Sequence, residues 1–164
     1  MKYRFVHKSY LNLDELIDLY TAMETQRLTG AVFYDTISMD ALSWVEYLED
    51  QRCWLVRIEN MIQETVGVFW LNGYMGRSAQ IHFCVWRGQF KNSLDIGREG
   101  IEWLKKNKVV DSLYGVTPDS YTHVLKFLKK LGFQIKGKLP GACHLAHHKK
   151  YIPGVISVLD LNKE

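Results

Sequence analysis

The stretch Ser78–Leu104 reads SAQIHFCVWRGQFKNSLDIGREGIEWL. Ser78–Val85 is an apolar, β-rich run that predicts a strand. Trp86–Ser93 is short, basic and polar, which predicts a loop. Leu94–Leu104 sets Leu94, Gly97, Ile101 and Leu104 close to helical spacing, which predicts a helix. A strand that feeds straight into a helix start leaves backbone N–H groups without intrahelical partners. Those groups and the helix dipole favour an anion. Arg87 and Lys91 add positive charge beside them. The segment therefore carries two readings, a pocket for a phosphate-bearing ligand and an ordinary βα turn with two solvated cations.

Upstream, Lys2–His7 alternates as a first strand. Asn12 offers a helix N-cap with Glu15 as its capping-box partner, and the apolar spacing predicts a helix over 13–26. Thr29–Ile37 predicts a connection with exposed aromatics. Ser38 predicts the cap of a second helix, with Leu42, Val45 and Leu48 on its apolar face and an end near Asp50. Arg52–Glu59 and Thr65–Leu71 predict strands, the second covered on both faces. Asn72-Gly73 is a turn signal, with the connection extending to Arg77. With Ser78–Val85 these strands predict an antiparallel meander.

Downstream, Val109–Val116 predicts a strand, so strand, helix and strand imply a parallel, right-handed crossover. Thr117 predicts the cap and Pro118 the first position of a last helix, with Val124, Phe127, Leu128 and Leu131 as its stripe and Gly132 after its end. Phe133–Gly137 and Val155–Leu161 predict the closing strands, joined by the Pro-, Gly- and His-rich Lys138–Gly154.

The 164 residues suit one domain, 1–164, of α/β class. A charge of +3 with no Lys/Arg block argues against nucleic acid as a partner. No apolar run has signal-peptide or membrane-spanning length, so no membrane partner is expected. Three cysteines without a CxxC predict reduced thiols in a cytoplasmic setting. Cys143, His144 and His148 have a spacing open to a metal. A solvated basic loop is the preferred reading, and no metal is expected.

The order β-α-α-β-β-β-α-β-α-β-β resembles the GNAT superfamily of acyl-CoA-dependent N-acyltransferases. Thr117–Phe133, TPDSYTHVLKFLKKLGF, is similar to that family's second core motif, and Gly137 fits the glycine that follows it. The resemblance implies a single mixed-sheet domain in which Ser78–Val85 parts from Val109–Val116. It implies a pantetheine arm pairing with Phe83, Cys84 and Val85. It implies a pyrophosphate held by Arg87, Gly88, Gln89, Phe90, Lys91, Asn92 and Ser93. The chain departs from the family pattern in having only Gly88 in that loop, Tyr121 where Asn is frequent, and Leu128 where many members carry the Tyr that protonates the leaving thiolate.

The implied activity is direct transfer of an acetyl group from acetyl-CoA to an amine of unknown identity. His82 is the candidate base, and its other reading is a hydrogen-bonded strand histidine. Tyr121 and Ser120 are the candidate acids. Phe33 and Tyr34 are expected to rim the acceptor cleft, and Cys84 to be a small buried hydrophobe. A homodimer is compatible with this reading. The alternative is a catalytically inactive GNAT-like structural or assembly protein of the phage-associated kind.

Overall fold

The computed structural model describes residues 1–163. Seven strands form one mixed sheet: β1 (Arg4–His7), β2 (Trp54–Glu59), β3 (Thr65–Met75), β4 (Ser78–Val85), β5 (Ser112–Pro118), β6 (Gln134–Leu145) and β7 (Lys150–Asp160). Their order across the sheet is β1-β2-β3-β4-β5-β7-β6. All neighbours are antiparallel except β4 and β5, which run parallel. The helices are α1 (Leu13–Thr25), α2 (Thr29–Val32), α3 (Ala41–Glu49), α4 (Ser93–Asn107) and α5 (Thr122–Lys130). None is long and apolar enough to cross a membrane.

Side-chain alternation along the strands builds two cores. Leu55, Val68, Trp70 and Cys84 meet α1 and α3 through Leu19, Met23, Trp44 and Leu48. Val56, Phe69, Leu71 and Leu113 meet α4 and α5 through Ile96, Ile101, Leu104 and Leu128.

Helix α1 starts where its sequence predicts. Asn12 accepts from Glu15 N–H and Glu15 accepts from Asn12 N–H, a complete capping box. The cap of α3 is Asp40 rather than Ser38. Its carboxylate accepts from Ser43 N–H at 2.8 Å, while the Ser38 hydroxyl is turned back on Thr36. The Thr29–Ile37 connection winds into the one-turn α2, and Phe33 is 7% exposed, packed among Tyr20, Trp44 and Trp70.

The β3–β4 turn is Gly76-Arg77, not Asn72-Gly73. Asn72 is drawn into a polar network under the sheet, and Gly73 takes φ +54° in a bulge where the register slips. A Cβ there would meet the Tyr114 hydroxyl at 2.7 Å. Thr117 and Pro118 end β5 and do not start α5, whose first residue is Thr122. They pair with Val155 and Gly154 of β7. Asp119 N–H bonds Pro153 O on that side, so even-numbered residues of β5 face the other way. The N–H that Pro118 lacks is therefore not missed by the β7 ladder.

Lys138–Gly154 is no loop. It is the arms of a long β6–β7 hairpin closed by a short 3-10 helix at Ala146–His148. Cys143 is buried on one arm, and His144 stacks on Tyr151. Among the described residues no cluster of three metal-capable side chains forms.

Candidate active site

The parallel pair β4–β5 is joined only at Ser78↔Ser112, Ala79↔Leu113 and Gln80↔Tyr114. Beyond Gln80 the two strands part. Trp86 N–H bonds Val66 on the β3 side, so by alternation the odd-numbered residues of β4 face β5. The N–H and C=O groups of Phe83 and Val85 therefore look into the opening without a strand partner, and Val116 looks back from the other bank. Buried backbone groups are rarely left unpaired. An opening edged in this way fits an extended, amide-bearing ligand.

A cavity of about 480 Å³ occupies the opening and passes between the two helical faces. Ile81, Phe83, Val124 and Phe127 line it on the α4–α5 side, and Tyr34, Trp70, His82 and Cys84 on the other. Phe83 and Phe127 stack at 5.5 Å on that α4–α5 side. Gly97 forms part of the wall, and a side chain there would press on Leu131 at 3.0 Å.

His82 stands opposite Trp70 on β3, and the two rings stack. Its Nε2 lies 3.0 Å from Asn72 Oδ1. Asn72 Nδ2 and Trp70 Nε1 both donate to the Tyr47 hydroxyl. That arrangement leaves Asn72 Oδ1 as acceptor and gives the His82 proton to Nε2. Nδ1 has no hydrogen-bond partner among the described residues, and His82 lines the cavity. Burial pulls the imidazole down to about 4, so it is neutral near pH 7. Cys84 is pushed by burial up to about 12 and stays a thiol.

Of the two candidate acids, Tyr121 lines the cavity. Ser120 is exposed and lies off it. Of the two expected rim residues, Tyr34 lines the cavity. Phe33 does not; it is core beneath α3, because its aromatic neighbours enclose it.

The Trp86–Ser93 segment is wound into a short 3-10 helix, Arg87–Asn92, that runs directly into α4. Ser93 N–H already bonds Phe90 O, and Asp95 sits in the first turn of α4. Arg87 is committed elsewhere. Its backbone N–H donates to Gln26 Oε1 at 2.7 Å, and its guanidinium donates to the carbonyls of Gln26 and Arg27 at the end of α1. Gln89 and Asn92 bond each other at 2.8 Å. Gly88 is open, Lys91 is exposed without a salt bridge among the described residues, and Phe90 is 50% exposed. Sequence reading missed the Asn72–Tyr47 support under His82 and the grip of Arg87 on α1. Both depend on side chains brought together from distant parts of the chain.

Neither a family model nor a curated protein sequence matches the chain. Solved structures do. Spermidine N-acetyltransferase from Vibrio cholerae in complex with CoA and spermine superposes with a TM-score of 0.79 at 10% identity, over 99% of this chain and 97% of that one. A putative phosphinothricin N-acetyltransferase gives 0.75 at 15% identity over 98% and 99%. Ribosomal-protein-S5-alanine acetyltransferase from Vibrio fischeri gives 0.75 at 9% identity over 99% and 95%. These superpositions show that the chain has the fold of the GNAT acyltransferases.

Proposed function

We propose that the protein is an N-acyltransferase that moves an acyl group, acetyl in the first instance, from acyl-coenzyme A to an amine. The observation that carries this reading is the free strand edge at Phe83 and Val85, facing a cavity between parted strands. A pantetheine arm is an extended chain with amides, and it suits a strand edge as an added strand does. Open Gly88 and free Lys91 would take the pyrophosphate, with Gln89, Phe90, Asn92 and Ser93 around it. Acyl-coenzyme A supplies the acyl carbon already activated as a thioester.

The chain's own groups supply the rest. His82 Nδ1 accepts the proton of the attacking amine, and the bond from Nε2–H to Asn72 keeps the ring in that tautomer. An imidazole held down to about 4 is unprotonated near neutral pH, so its lone pair is free to accept. Backbone N–H groups of Phe83 and Val85 orient a carbonyl oxygen in the opening. Tyr34 and Tyr121 present phenol rings to the cavity. A cytoplasmic setting and an amine acceptor belong to the same reading.

One observation favours a second reading, a non-catalytic GNAT-like protein. Arg87 is spent on α1, and the 3-10 helix uses N–H groups that an anion would need. Calorimetric titration with acetyl-CoA separates the two. Micromolar binding that is lost in Asn92→Glu supports the acyltransferase. Neither heat nor thermal stabilisation at high ligand concentration overturns it in favour of the second reading.

A further inference from the structure

Tyr34 comes from the segment after α2, yet its hydroxyl reaches the far bank of the opening. It donates to Val116 O at 3.4 Å and lies 3.7 Å from Cys143 Sγ. The contact to Val116 O is long for an O–H···O bond, so the hydroxyl is loosely held on that carbonyl. The carbonyl of Val116 faces the opening, as the even-numbered groups of β5 do. The β4–β5 pairing runs one to one through Gln80↔Tyr114. Counting two residues further along each strand matches His82 to Val116 across the parting, and His82, Val116 and Tyr34 all line the cavity. A base and a hydroxyl thus flank the same level of the cavity. Tyr121 meets Tyr34 only ring to ring, at 5.8 Å and 73°.

We infer that the Tyr34 hydroxyl donates a hydrogen bond to the leaving sulfur of the acyl donor, an inference that rests on the acyltransferase reading above. As the carbon–nitrogen bond forms, the carbon–sulfur bond breaks and its electron pair stays on sulfur. His82 takes the amine proton and returns it to that sulfur. Tyr34 keeps its own proton and stabilises the anion in passing. Burial and the Cys143 thiol both hold the phenol in its protonated form. Cys143 on β6, Asp35 on its own segment and Tyr121 beside α5 are the groups whose charge it feels, and His82 and Cys84 of β4 and His123 of α5 line the same cavity. Cys143, like Cys84, is pushed up by burial and stays a thiol near neutral pH, a weaker hydrogen-bond donor than a phenol.

The test is a binding measurement on coenzyme A and desulfo-coenzyme A, with Tyr34→Phe, which keeps the ring against Tyr121. The thiol of bound coenzyme A is titrated by its thiolate absorbance. We expect it to titrate about one pH unit higher in Tyr34→Phe than in the wild type, a tenfold loss of thiolate affinity. Desulfo-coenzyme A is expected to bind both proteins equally. With acetyl-CoA and hydroxylamine, kcat falls while KM for acetyl-CoA holds. A bound thiol that titrates alike in both proteins overturns the role, as does an equal loss of desulfo-coenzyme A. A wild type that binds no coenzyme A overturns the acyltransferase reading itself, before the variant is needed.

Discussion

The imidazole of His82 lies flat against the indole of Trp70, with ring centroids 4.9 Å apart and planes within 5°. The stack and the bond to Asn72 fix the ring on two sides. His82→Gln is expected to lower kcat about a hundredfold or more, as loss of a general base does. Acetyl-CoA affinity is expected to hold, which calorimetry checks.

The same residue ties stability to pH. Unfolded, the imidazole takes a proton near 6.5; folded, it resists until about 4. The unfolded state therefore binds more protons between those values. The stabilisation that His82 lends is full above pH 6.5 and fades as pH falls to 4, by about 3 kcal/mol in all. His7 is also lowered by burial and acts in the same sense. Urea denaturation across that range should show the slope, and His82→Gln should flatten it.

Arg87 and Lys91 are four residues apart and predict opposite outcomes. Arg87→Gln removes the guanidinium from the last carbonyls of α1 and should cost about 1 kcal/mol. Hydrogen exchange should quicken over 28–32. Lys91→Ala should leave stability within about 0.5 kcal/mol and weaken acetyl-CoA binding by about fivefold, with a shallower dependence on salt.

Gly73→Ala should destabilise the protein by about 1–3 kcal/mol. The position has positive φ, and a methyl group would displace the Tyr114 hydroxyl, which donates to Gly73 O at 2.6 Å. Gly76, also at positive φ, has open space around it, and Gly76→Asn should be nearly silent. Thermal melts of the two variants provide the comparison.

Glu59 is 3% exposed and ion-paired to Arg57 at 2.6 Å and to Arg4 at 3.4 Å. Arg57 in turn reaches Glu15 at the start of α1 at 2.7 Å. Glu59→Ala strips a half-buried guanidinium of its closest partner and should cost about 3 kcal/mol by urea denaturation.

Features carried by neighbours in the chain were legible in the sequence. The Asn12–Glu15 box, the doubly buried run in β3 and the meander through β4 all stand where local pattern put them. His82 and Tyr34, both singled out in the sequence, line the cavity. What escaped is decided at a distance. Asn72-Gly73 has the chemistry of a turn, but Tyr47 and His82 hold Asn72 inside the strand. Phe33 looks like a loop aromatic until Trp44 and Trp70 close over it. Arg87 looks like a phosphate ligand, and carbonyls sixty residues upstream claim it. No local signal marks where β4 leaves β5, since both strands are apolar runs on either side of the parting.

The parting divides the sheet into four strands on one side and three on the other, stitched by three residue pairs. A molecule lying along that seam would act as a rivet, holding two halves whose own joint is short. Cohesion and turnover would then draw on the same backbone groups, and each release of product would leave the protein briefly unfastened.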